Sequence, residues 1–105
     1  MSVPVEVGEL ATALADFGAG YLLTASAAGR VKAVSVRPEL VEGVLVMTSP
    51  GRGSVGNAAA NPQVTVLWPP IEAGAMSLIV DGAAEVVGDD VRVRPTGAVR
   101  HKSAG

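Results

Sequence analysis

A chain of 105 residues with a net charge of -2 and no cysteine reads as one domain and excludes disulfides, thiolate chemistry and cysteine-ligated metals. Valine (18) and alanine (17) make up a third of it, against one Phe, one Tyr and one Trp, so the core is β-branched rather than aromatic and strands are its natural host. Hydrophobic residues reach 49% and charged ones 17%, which leaves more apolar surface than a monomer of this size covers and points to a homodimer.

In chain order, Val7, Leu10, Ala11, Leu14 and Phe17 stand at helical spacing within a predicted short helix from Val5 to Phe17, stopped by Gly18 and Gly20. Tyr21 to Ser26 reads as a strand. Ala27-Ala28-Gly29-Arg30 is the turn of a hairpin that returns through Val31 to Arg37, with Lys32, Val34 and Val36 on one face and Val31, Ala33, Ser35 and Arg37 on the other. Pro38 to Gly43 is read as a connection, Val44 to Thr48 as a third strand. A glycine-rich turn and a short alanine helix ending at Asn61-Pro62 follow, then a strand from Gln63 to Trp68 that Pro69-Pro70 stops. Ala75 to Val87 suits a bent strand with a bulge or kink at Gly82, and Gly88-Asp89-Asp90 turns it into Val91 to Arg94. Residues 95–105 are read as a basic tail. The fold expected is mainly β with short helices: a single, six-stranded, largely antiparallel split β-barrel.

The stretch from Val44 to Pro70 carries the strongest functional signal. Ser49-Pro50-Gly51-Arg52-Gly53-Ser54 joins a strand to a helix, a geometry in which glycine lets successive amides turn inward, Ser54 can cap the helix, and Arg52 supplies a guanidinium. It reads as a phosphate cradle. The string Gly51 to Gly56 also fits G-x-G-x-x-G, but the helix after it ends about two turns later and the neighbouring strands form hairpins rather than βαβ units, so a dinucleotide fold is rejected.

Other candidates are weaker. His101 is the single histidine and cannot build a zinc site without cysteine, so no metal is expected. Asp89 and Asp90 adjoin in a turn and do not face each other across a cleft. No serine lies in a nucleophile elbow, and no catalytic residue is assigned. Trp68 can stack on a flat ligand or plug the barrel end. Four of the eight basic residues fall in the last fourteen positions, yet without net positive charge or interleaved aromatics no nucleic-acid partner is expected. The prolines break the longest uncharged run, and the N-terminus has no basic region followed by an apolar core, so neither a membrane partner nor export is expected and the location is read as cytoplasmic.

Taken together, Lys32-Ala-Val-Ser-Val-Arg37, Leu45-Val-Met-Thr-Ser49, Asn61-Pro-Gln-Val-Thr-Val-Leu-Trp68-Pro69 and Asp81-Gly-Ala-Ala-Glu85-Val resemble the pyridoxamine 5'-phosphate oxidase-like group of FMN-binding split barrels, over about residues 20–94. The resemblance implies that Lys32 and Arg37 flank a flavin-contacting strand with Val34 between them. It further implies that Met47, Thr48 and Ser49 approach the ring or ribityl chain, that the loop from Gly51 through Arg52 to Ser54 holds the phosphate, and that two cofactor pockets lie at a homodimer interface. Where the family commonly shows Arg-Lys, this chain has Gly53-Ser54, and only Arg52 keeps a cation. The extended C-terminal segment that binds vitamin B6 in true oxidases has no counterpart here, so that reaction is not expected. The leading expectation is an FMN- or deazaflavin F420-binding oxidoreductase acting on a small-molecule substrate. The alternative is a cofactor-free small-ligand-binding or dimerisation module.

Overall fold

The computed structural model describes residues 1–103. In chain order it comprises β1 (Ser2–Val5), a 3-10 turn (Val7–Glu9), α1 (Leu10–Leu14), β2 (Gly20–Ala25), β3 (Val31–Val36), β4 (Glu39–Val41) and β5 (Val44–Met47). There follow α2 (Arg52–Ala60), β6 (Gln63–Trp68), β7 (Ser77–Val87) and β8 (Asp90–His101). All strand pairs are antiparallel. The order is β3-β2-β6-β7-β8-β5-β4, with β1 added beside β8. The sheet curls into a barrel left open between β3 and β4.

Alternation builds the interior. Leu22, Leu45, Val66, Leu78, Val80, Val91 and Val93 are fully buried on the inner face, and Met47, Val64 and Trp68 nearly so. Leu10 and Ala13 of α1 and Ala58 of α2 close the ends. Two tight turns set register by backbone sign: Glu42 (φ 50°) and Gly43 (φ 79°) both take positive φ between Val41 and Val44, the twist-matched two-residue turn of a hairpin. Gly29 (φ 80°) does the equivalent work between β2 and β3, where the Gly29 N–H donates to the Ser26 carbonyl at 2.9 Å.

The strand count is eight, not six. Pro38 to Gly43, expected to be a connection, contains β4. The helix expected from Val5 to Phe17 is shorter: Val5 ends β1, and the helix proper spans only Leu10–Leu14. Of the residues expected to form a basic tail, 95–101 are the second half of β8, and 104–105 lie outside the described residues. Its outer edge takes β1, from Ser2 opposite His101 to Val5 opposite Ala98, and the pairing continues through reciprocal hydrogen bonds between Met1 and Lys102. His101 is therefore a strand residue, exposed, with Nδ1 3.0 Å from Ser2 Oγ. Among the described residues no helix is long and apolar enough to cross a membrane.

The bulge expected at Gly82 is present, with the extra residue on the partner strand: Asp81 faces Gly97 and Gly82 faces Pro95, leaving Thr96 unpaired. Glycine is required at 82 because a Cβ there stands 2.5 Å from Val93 Cγ1 and 2.6 Å from the Arg94 carbonyl oxygen. Gly82→Ala is expected to lower stability by about 1–3 kcal/mol through overpacking. Gly97→Ala, whose Cβ meets nothing within 4 Å, is expected to change it by less than about 1 kcal/mol. Urea denaturation of the two variants checks the contrast.

Candidate functional site

The connection from β5 to α2 is held by strand β8. Met47 is buried and Thr48 is exposed. Ser49 then takes a left-handed turn (φ 45°) and donates its N–H to Asp90 Oδ1 at 2.9 Å. Gly51 follows at φ 118°, ψ 155°, backbone space open only to glycine, and serves as the N-cap of α2. The first helical bond runs from the Val55 N–H to the Gly51 carbonyl at 3.0 Å. The amides of Arg52, Gly53 and Ser54 therefore have no acceptor within the helix, and no side chain caps them.

Ser54 is not the cap that the sequence suggests. It lies one turn in, fully buried, and its Oγ has no hydrogen-bond partner. A buried hydroxyl left unpaired costs about 1–3 kcal/mol, so this helix start carries an unmet demand for polar contact.

Strand β3 and the residue after it bring two cations, Lys32 and Arg37, to opposite ends of this loop. At one end Lys32 lies over the first turn of α2: a Cβ built on Gly53 stands 2.8 Å from Lys32 Nζ and 3.0 Å from its Cε. The ammonium thus occupies the space that a side chain at 53 would need. The helix is seated there through Thr24, which faces Lys32 across the β2–β3 ladder and accepts a hydrogen bond from Asn57 Nδ2 at 3.1 Å. At the other end Arg37 lines a groove of about 310 Å³ with Ser35, Met47, Thr48 and Ser49. Val34, between the two cations, is half-buried against the core. Among the described residues no carboxylate lies within 4 Å of the charged ends of Lys32, Arg37 or Arg52.

Ammonium, guanidinium and free helix-terminal amides all favour an anion. Lys32, Arg37, Met47, Thr48, Ser49, Gly51 and Arg52 are thereby gathered along one loop. Trp68 is not with them: it is 1% exposed and wedged against Gly20, whose Cβ position is 3.1 Å from its indole Cδ1 and Nε1. It closes the barrel end beneath α1 and borders a concavity of about 270 Å³ with Ala11, Leu14, Phe17 and Leu40. The sequence reading also missed Asp90, whose only local signal was a turn-like Asp89-Asp90 pair, and the reach of Lys32 to Gly53, which has no local signal. Among the described residues no cluster of three or more His, Asp or Glu is placed to hold a metal ion.

No family model matches the chain. A curated relative, the uncharacterized protein Mb0449c of Mycobacterium bovis, is 38% identical over 90 residues, covering 77% of this chain and 63% of the relative. The chain thus spans just under two thirds of the length of the curated relatives it matches. Among solved structures, a FAD-binding protein from Mesorhizobium loti superposes with a TM-score of 0.75 at 17% identity, covering 98% of this chain and 99% of that one. A heme-binding protein from Mycobacterium smegmatis gives 0.72 at 19%, covering 98% and 57%. A putative pyridoxamine 5'-phosphate oxidase from Corynebacterium glutamicum gives 0.72 at 13%, covering 98% and 100%. The chain has the fold of the flavin-binding, pyridoxamine 5'-phosphate oxidase-like split barrels.

Because the Ser54 hydroxyl is buried without a partner, Ser54→Ala is expected to raise the stability of the ligand-free protein by about 1 kcal/mol, read as a higher urea midpoint at unchanged slope.

Proposed function

We propose that the chain binds a phosphate-bearing flavin, FMN or the deazaflavin F420, along the loop from Met47 to Ser54, and acts as an oxidoreductase on a small molecule. The observation that carries this reading is the meeting of Lys32 with the uncapped start of α2. The sequence lacks the loop cation common in the family at position 53, and Lys32 reaches across from β3 into the space left by Gly53. The donor set suits a phosphate: an ammonium, the Arg52 guanidinium and three free amides. The adjoining groove beside Arg37 leaves room for the ribityl chain and ring. The flavin itself supplies the hydride chemistry; the protein binds the phosphate, orients the ring and shields it from water. The FAD-binding M. loti neighbour supports a flavin in general, and titration with FMN, FAD and F420 separates the three.

A homodimer is part of the same proposal. The outward side chains of β3, β2, β6 and the start of β7 include Val31, Ala33, Tyr21, Leu23, Leu67 and Ile79, a continuous uncharged face in which Val31 is 64% and Tyr21 43% exposed. The accessible surface of the chain is 6191 Å², against about 5,400 Å² for a folded monomer of this mass. The excess, roughly 800 Å², is close to one partner's share of a standard interface.

The second reading, a cofactor-free binding or dimerisation module, is favoured by Lys32 itself, whose ammonium already lies across the helix start. A flavin titration followed by fluorescence decides between them. FMN is expected to bind with its ring emission quenched. Lys32→Met and Arg52→Ala are each expected to weaken FMN by about tenfold or more while leaving riboflavin, which has no phosphate, unchanged. Wild-type protein that binds neither ligand leaves the module reading. For the dimer, Leu67→Glu is expected to give a monomer in sedimentation equilibrium where the parent sediments at twice its chain mass.

A further inference from the structure

The turn that aims the start of α2 is held from outside the loop. Strand β5 leaves its ladder with β8 at Met47, which faces Val91. Had the ladder run on, Thr48 would face Asp90; instead the Asp90 carboxylate takes the Ser49 N–H at 2.9 Å and the chain turns away. Asp90 is itself fixed, because it faces Val87 across the two-residue turn Gly88-Asp89 that joins β7 to β8, with Gly88 at φ 60°. Among the described residues this is the one hydrogen bond outside the ladders that holds Ser49 or Pro50. It holds a conformation that the local sequence opposes. At φ 45° Ser49 lies in the left-handed region that a side chain disfavours, and the ring of Pro50 biases the residue before it towards extended backbone. Two local preferences thus work against the turn, and one distant acceptor supports it.

We infer that Asp90 is a positioning residue for the phosphate-binding loop, setting the affinity of that loop through Ser49 without touching the ligand. The inference rests on the reading of the α2 start as the phosphate site. With Ser49 turned, Gly51 enters α2 at φ 118°, and the first turn of the helix lies against Lys32. Without the acceptor, Ser49 relaxes towards the extended backbone that Pro50 favours, and the free amides of the helix start are no longer aimed at one point. A ligand then binds only the aimed fraction of the chains, so its apparent dissociation constant rises as that fraction falls. The role belongs to the acceptor oxygen and not to the charge, because a negative charge beside an anion site opposes the ligand.

Titrations of the full ¹⁵N-labelled chain with FMN, followed by ring fluorescence, and with inorganic phosphate, followed by the amide signals of Arg52, Gly53 and Ser54, test this. Asp90→Ala is expected to weaken both ligands by about tenfold. Asp90→Asn keeps an oxygen acceptor and is expected to bind at least as tightly as the parent. Adding Ser49→Gly to Asp90→Ala is expected to recover most of the loss, because glycine takes a positive φ freely. Asp89→Ala removes the same charge from the same turn, where the Asp89 side chain makes no hydrogen bond among the described residues, and is expected to bind as the parent does. Should Asp90→Ala melt below the parent, the Ser49→Gly rescue still decides, since it relieves the turn and restores no contact to β8. Unchanged binding in Asp90→Ala, equal loss in Asp90→Asn, or no recovery with Ser49→Gly overturns the inference. A parent that binds phosphate but not FMN overturns the flavin reading alone, and the Asp90 series is then decided on phosphate; a parent that binds neither overturns both.

Discussion

The antiparallel ribbon of β7 and β8 is the constraint on which the rest of the structure depends. Its eleven paired positions place Leu78, Val80, Val91 and Val93, all fully buried, on one inner surface, and β8 then offers its other edge to β5 at one end and to β1 at the other. A ribbon this long cannot stay flat. Strand twist and the bulge opposite Gly82 coil it, and that coil makes the sheet curve into a barrel instead of extending as an open sheet. Glycine at 82 follows from the same geometry, because the backbone of β8 passes where any side chain would stand.

The candidate flavin site is a consequence of that ribbon. Asp90, the first residue of β8, takes the Ser49 N–H and holds the loop in a left-handed turn that serine adopts only when something over-determines it. With that turn set, Gly51 swings the chain into α2, and the helix start lands beside β3. The polar demand there is local and unmet: three amides without acceptors, a buried hydroxyl without a partner, and an ammonium brought to the positive end of a helix dipole. Of these, the buried hydroxyl costs free energy in the ligand-free chain, while the amides of the exposed Arg52 and Gly53 are open to water, where an anion competes for them. The two surfaces that flank the site differ in kind. The face of β3, β2 and β6 is uncharged and broad, whereas the outward face of β4, β5 and β8 carries Arg92 and Arg94 together with Glu42 and, on β7, Glu85.

Much of this was legible from residues in order. The alternation Lys32-Ala-Val-Ser-Val-Arg37 placed Lys32 and Arg37 on opposite faces; in the structure Lys32 lies against Gly53 and Arg37, one residue past β3, borders the groove of Met47 to Ser49. Gly29 and Gly88 marked turns, Gly82 marked the bulge, and Asn61-Pro62 marked the end of α2, because each is a steric requirement expressed within two or three residues. The errors fall where the deciding partner is distant in sequence. Val7, Leu10, Leu14 and Phe17 have helical spacing, but the free edge of β8 takes Val5, together with Ser2 to Pro4, as a strand. Residues 95–101 looked like a charged tail because half of their neighbours are the first five residues of the chain. Trp68 could stack on a ligand or plug the barrel end, and its burial under α1 is decided by α1, which precedes it by more than fifty residues.

By itself the sequence determined the class of the fold and the chemistry available to the loop, since hydrophobic period, turn glycines and the inventory of cations act through short-range sterics and composition. Only the tertiary structure decided which groups meet. Lys32 lies against Gly53, Ser54 is buried rather than capping, and Asp90 anchors Ser49, because strand adjacency and the coil of a long ribbon set those distances and no stretch of neighbouring residues encodes them.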